Sequence, residues 1–210
     1  MRYEIIQTKP YKNAAFLIHK NDGRSVGEIK QTHQKNDRFN GFELEFLDYC
    51  IQMKSVDSIG LKLKKALKFW VPIGQASYYL FQNGIKCGEL SKYSNGIYSL
   101  LLDGKIYTMC IVGFGNNGIK FPIFEGKFEN AGLGGKQIAL IETLNLAQKL
   151  NKYQVTALGE WEGWIAALYG IYVDAVTFSI NDSHYRKKHL ETFNRQNSLY
   201  DPAFKEQIVD

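Results

Sequence analysis

The chain has 210 residues, of which 45% are hydrophobic and 22% charged. That length suits one well-packed domain or at most two small ones, and that composition excludes wholesale disorder. A formal net charge of +5 favours contact with phosphate groups but excludes no function by itself.

The N-terminus, MRYEIIQTKPYKN, has no apolar run and no small-residue cleavage site, so the expected compartment is the cytoplasm. An excess of lysine over arginine fits an AT-rich, bacterial genome. The next elements read as short strands joined by turn dipeptides. AAFLIHK leads through NDG to RSVGEIKQ, ASYYLFQ through NG to IKCGELSKY, and IYSLLL through DG to KIYTMCIVGF. Asn-Gly and Asp-Gly between apolar runs signal hairpins, because both central residues of a type I′ turn need positive φ. The expectation is antiparallel sheet.

Gly23 to Ile29 echoes Gly84 to Leu90, each a turn glycine followed four residues later by Gly-Glu-aliphatic. LGGKQIALIE, Leu133 to Glu142, reads as a weaker third version. Such echoes point to a repeated meander. Cys50, Cys87 and Cys110 are widely spaced and odd in number, so no disulfide framework is expected; all three read as small buried hydrophobes.

Between the first two hairpin pairs lies SIGLKLKKALKFWVPIG. On a helical wheel Ile59, Leu63, Ala66, Leu67, Phe69 and Trp70 share one face, and Lys64, Lys65 and Lys68 the other, with Pro72 and Gly74 closing the segment. Lysines opposite a Leu/Phe/Trp face suit a helix resting on anionic lipid. Further on, GFGNNG (Gly113 to Gly118) matches the dinucleotide fingerprint, but IKFPIFEG follows it with Pro122 and reads as extended. Without a helix to hold a pyrophosphate, the reading is a loop between strands.

WEGWIAALYGIYVDAVTFSI, Trp161 to Ile180, is apolar on every side. A membrane span needs about 20 apolar residues, whereas Trp164 to Ile180 is 17 long and includes Gly170 and Asp174. No transmembrane span is expected. A helix apolar all round is stable when other protein encloses it. Glu160 and Glu162 read as a polar cap at its start, where acids favour the positive helix end. Beyond it, Ser183 to Arg195 reads as a surface helix, and Pro202 ends helical continuation.

The strand KYQVTAL, the polar break GEWEG, the apolar helix WIAALYGIYVDAV with Asp174 near its end, and the preceding GKQIALIE together resemble the tubby C-terminal-like superfamily. That superfamily includes tubby proteins, LURP-one-related proteins and phospholipid scramblases. The resemblance implies a mainly β fold over residues 1–180, a closed antiparallel barrel surrounding a hydrophobic C-terminal helix at about 161–180. Residues 181–210 form a polar tail outside it.

The chemistry is mostly absence. His184 and His189 are spaced i, i+5 and do not share a helical face; His19 and His33 sit in or beside the first hairpin. No metal motif and no nucleophile elbow occurs, so neither metal nor cofactor is expected, and an enzyme is not. Nucleic-acid binding needs basic residues interleaved with aromatics on one surface; KLKKALKFW and HYRKKHLETF are the only dense clusters, each is short and reads as a solvated face, and nucleic acid is an unexpected partner. The resemblance implies a non-enzymatic module binding anionic phospholipid, peripheral to the membrane, with Lys62, Lys64, Lys65 and Lys68 as the contacts. The alternatives are a cytosolic protein–protein partner, such as a bacterial immunity or regulatory protein, and scramblase-like lipid transport.

Overall fold

A computed structural model describes residues 1–10, 13–32, 41–56, 77–94, 96–113, 119–129, 132–133, 136–144, 150–175 and 201–208. The strands in chain order are β1 (Arg2–Lys9), β2 (Ala15–Lys20), β3 (Ser25–Thr32), β4 (Gly41–Phe46), β5 (Tyr49–Val56), β6 (Ser77–Gln82), β7 (Ile85–Ser94) and β8 (Ile97–Leu102). They continue with β9 (Lys105–Cys110), β10 (Val112–Gly113), β11 (Ile119–Glu125), β12 (Phe128–Glu129), β13 (Gly132–Leu133), β14 (Gln137–Thr143) and β15 (Lys152–Ala157). The helix α1 spans Glu160–Val173.

Twelve strands pair in the order β11-β14-β15-β1-β2-β3-β4-β5-β6-β7-β8-β9, and β9 pairs back on β11 to close an antiparallel barrel. Short β10 extends the β9 edge along β11, and β12 and β13 form a separate ribbon. Closure leaves no free sheet edge in the ring. Pro122 sits mid-strand in β11, between the residues that pair with β10 and those that pair with β9, so its missing N–H falls at a gap in that ladder.

The three expected hairpins form. Asn83 and Gly84 have φ of 51° and 79°, and Asp103 and Gly104 have 47° and 78°, as type I′ turns require.

The echo is structural, and it is threefold. Ile18 faces Gly27, Leu80 faces Gly88 and Ile123 faces Ala139. Immediately beyond each pair the register slips by one residue, leaving Val26, Cys87 and Ile138 as bulges. The carbonyls of those bulge residues accept the N–H groups of Leu47, Asp103 and Leu158 at 2.8, 3.0 and 3.0 Å. In the third strand Gly27 pairs with Phe46, Gly88 with Leu102 and Ala139 with Ala157. The fourth strand of each unit meets the next unit through Met53–Leu80, Met109–Ile123 and Ile5–Ile18. The units are therefore β2–β5, β6–β9 and β11-β14-β15-β1. Glycine is needed in the first two because an added Cβ would lie 2.3 Å from Glu45 O at Gly27 and 2.4 Å from Leu101 O at Gly88.

The third unit differs at one point. Where the first two turn back through Leu47–Asp48 and Asp103–Gly104, the third runs through Leu158–Gly159 into α1, and β1 takes the fourth-strand place. Met1 and Ala157 exchange backbone hydrogen bonds of 2.9 Å there.

Helix α1 starts one residue before the expected boundary, and residues 176–180 of the apolar stretch lie outside the described residues. Every residue from Gly163 to Val173 is buried. Gly163 abuts the Tyr3 ring, where a Cβ would be 2.6 Å away, and Gly170 faces Ile5 and Ile141. Tyr172 meets Tyr78 and Tyr98 at centroid distances of 5.8 and 5.3 Å. The Tyr169 hydroxyl donates to Tyr107 O at 2.8 Å. Helix side chains thus share one core with residues of β1, β6, β8, β9 and β14.

Antiparallel pairing sorts the connections to two ends of the barrel. At one, the turn end, lie the turns after β2, β4, β6 and β8 and the start of α1. At the other, the loop end, lie the connections β1–β2, β3–β4, β5–β6, β7–β8, β10–β11 and β14–β15 and the C-terminal end of α1.

Candidate functional site

Lys62, Lys64, Lys65 and Lys68 lie outside the described residues, as do His33, His184, His189, residues 114–118 of the glycine-rich stretch and the 183–195 segment. What the structure fixes is where those stretches leave the barrel. β5 ends at Val56 and β6 begins at Ser77, both at the loop end, so the lysine-bearing segment is tethered there at both of its ends. The glycine-rich stretch is followed by β11, a strand rather than a helix.

The loop end carries a buried polar group beneath these tethers. Asp174 is fully buried, and its Oδ1 accepts Asn151 Nδ2 at 2.5 Å and the Tyr153 hydroxyl. Asn151 N–H donates to Gln7 Oε1 at 3.0 Å, Gln7 N–H donates to Asn151 O at 2.9 Å, and Asn151 Oδ1 has no hydrogen-bond partner. The carboxylate fastens the last turn of α1 to β15, since a buried donor left without an acceptor costs about 1–3 kcal/mol.

The turn end is aromatic. Trp161 stacks on Trp164 at 4.8 Å, and Tyr49 meets both rings at 5.5 and 5.3 Å. Trp161 Nε1 donates to the Tyr107 hydroxyl at 3.2 Å, while Trp164 Nε1 is buried without an acceptor. Glu160 and Glu162 occupy the first helical turn, and Glu160 pairs with Lys20 at 3.1 Å. Burial, helped by the charges of Glu160 and Glu162, pushes the Tyr3 hydroxyl up to about 12. A cavity of about 340 Å³ lined by Met1, Arg2, Lys20, Asn21 and Asp22 opens beside them. A smaller one of about 170 Å³ lies on the outer wall between Tyr93, Ser99, Thr108 and Phe128.

One expectation is corrected. Cys50 is exposed, not buried: in β5 the alternation puts Ile51 and Met53 inward and Cys50 outward, opposite Glu45. Its thiol is held above the usual range by partial burial and by Glu43 and Glu45. Cys87 is half-buried at its bulge, and Cys110 is fully buried with its thiol pushed up to about 12 by desolvation. Reactive cysteines have lowered values, and none of the three does. His19 bonds to Gly23 O within its own turn, 3.2 Å away. Among the described residues no group of three His, Cys, Asp or Glu side chains is placed to hold a metal.

No protein-family model, no curated protein and no solved structure matches the chain.

Proposed function

We propose that the chain is a non-enzymatic binding module of the tubby-like kind, a barrel plugged by α1, which contacts anionic phospholipid through Lys62, Lys64, Lys65 and Lys68. The observation that carries the reading is the asymmetry between the ends. The stretches 11–12, 33–40, 57–76, 114–118 and 145–149 both leave and rejoin the barrel at the loop end, and together hold eight basic residues against two acidic ones. The rest of the chain holds eighteen against nineteen. Positive charge is thus concentrated in sequence tethered at one end. Each lysine near an anionic membrane surface contributes about 1 kcal/mol, so four of them amount to roughly a thousandfold in partitioning.

Co-sedimentation with vesicles tests this directly. The wild-type chain is expected to pellet with vesicles containing phosphatidylserine and to stay in solution with neutral ones. Raising salt weakens the association, because surface charges are screened within about 8 Å at physiological ionic strength. Equal pelleting by the wild type and by the variant with all four lysines changed to Glu overturns the reading.

A protein partner is the second reading, favoured by exposed apolar residues at the turn end: Leu47, Leu158 and Ile85. A pull-down yielding a stoichiometric protein that protects these residues, without lipid, would favour it over the first. Scramblase-like transport needs α1 to meet the bilayer. No helix among the described residues is long and apolar enough to cross one.

A further inference from the structure

The C-terminal residues 201–208 lie against the outside of the barrel. Strand β14 is buried on both faces: Ala139 and Ile141 join the main core, while Leu140 faces outward and is fully buried under Phe204 and Ile208 in a separate apolar cluster. Polar contacts surround that cluster. Glu142, also on the outer face, holds Lys120 of β11 at 3.2 Å and pairs with Lys205. The Asp201 N–H donates to Gln137 Oε1 at 3.4 Å, and Gln137 Nε2 is buried with no acceptor.

The segment is shaped for this seat by its own residues. Asp201 Oδ1 accepts the Ala203 N–H at 2.9 Å, Asp201 Oδ2 accepts Gln207 Nε2 at 3.1 Å, and Phe204–Gln207 forms one 3₁₀ turn. The turn brings Phe204 and Ile208 onto one side with Lys205 reaching Glu142. Two buried side chains and one ion pair are set against the ordering of the whole segment, so the net hold is small and opens far more readily than the barrel. Tethering keeps the seat filled at a high effective concentration.

We propose that the outer face of β11 and β14 is a docking groove for a peptide with an aromatic residue, a basic residue next to it and an aliphatic residue four positions after the aromatic. The chain's own C-terminal segment is its built-in competitor. The groove supplies an apolar floor at Leu140, a carboxylate at Glu142 for the cation, and a spare donor at Gln137 for a peptide carbonyl. A partner carrying this pattern displaces residues 204–208 and exposes them. The proposal uses none of the lysines of the lipid reading and stands or falls without them.

The test uses full-length chains and a fluorescein-labelled synthetic peptide with the sequence of residues 201–210, followed by fluorescence anisotropy. Phe204→Ala in the chain loosens the competitor, and this variant is expected to bind the peptide at least tenfold more tightly than the wild type does. Lys205→Glu, which leaves both apolar side chains in place, is expected to do the same to a smaller extent. A peptide carrying Ala in place of its Phe is expected to bind none of the three chains. Equal affinity of wild type and both variants for the peptide, or binding of the Ala peptide as strong as that of the original, overturns the proposal. So does absence of binding to variants whose melting shows an intact barrel.

Discussion

The two ends of this barrel are built on opposite rules. At the turn end the chain reverses within two to four residues after β2, β4, β6 and β8, and each bulge carbonyl of Val26, Cys87 and Ile138 is tied to the connection that follows the next strand. At the loop end the connections, apart from the two-residue one between β7 and β8, run to five residues or more, and together they hold eight basic residues against two acidic ones. Helix α1 is fastened differently at each: rings hold its start, and the Asp174 carboxylate holds its finish. Backbone geometry at the turn end fixes the register of the hairpins that meet there, and the recognition proposed above falls to the loops of the other end, as loops on a rigid scaffold commonly carry it.

The close-approach glycines carry the largest expected effect. Gly88→Val puts a branched side chain against Leu101 O and should lower stability by about 3 kcal/mol or prevent folding, read by thermal melting. The third unit sharpens the point, because Ala139 already occupies the equivalent place opposite Ala157. Ala139→Gly should cost only about 1 kcal/mol.

Next in size is the loop-end fastening. Asp174→Ala leaves the Tyr153 hydroxyl and Asn151 Nδ2 without their shared acceptor, an expected loss of about 3 kcal/mol in urea unfolding. Tyr169→Phe, in the middle of the helix, removes the bond to Tyr107 O and should cost about 1.5 kcal/mol by the same measurement.

Alkaline titration reaches the turn end. The Tyr3 hydroxyl is raised from 10 to about 12 in the folded chain, mainly by burial. A raised value means that its contribution is complete below pH 10 and is lost as pH climbs towards 12. The melting temperature should therefore fall across that window, and Tyr3→Phe should make the fall shallower; an unchanged slope contradicts the assignment. The smallest effect is in thiol reactivity. At pH 8 Cys50 should react with a soluble disulfide reagent first, Cys87 more slowly, and Cys110 only on unfolding.

Much of the barrel is legible in the sequence because its strongest constraints are local. Asn83-Gly84 and Asp103-Gly104 announce positive φ, and Gly27-Glu28 and Gly88-Glu89 announce strands that approach too closely for a side chain. The third copy is faint because Ala139 replaces the glycine, the β12–β13 ribbon interrupts the hairpin, and α1 replaces the turn. The outward position of Cys50 was present in the two-residue alternation of CIQM, which an apolar context obscured. The partners of Asp174 were not legible. Asn151 and Tyr153 are more than twenty residues away, and only the β15 register brings them beneath the helix. The cover that Phe204 gives Leu140 is hidden for the same reason.

The division between the ends is tested most directly by tryptophan quenching. The chain has three tryptophans: Trp70 in sequence tethered at the loop end, Trp161 at the turn end, and buried Trp164. Two variants isolate the probes, Trp161→Phe/Trp164→Phe leaving Trp70 and Trp70→Phe/Trp164→Phe leaving Trp161. Each is mixed with phosphatidylserine vesicles whose acyl chains carry bromine. If the loop end meets the membrane, Trp70 is quenched and Trp161 keeps its emission. Quenching of Trp161 with Trp70 unaffected would put the other end on the membrane and contradict the account.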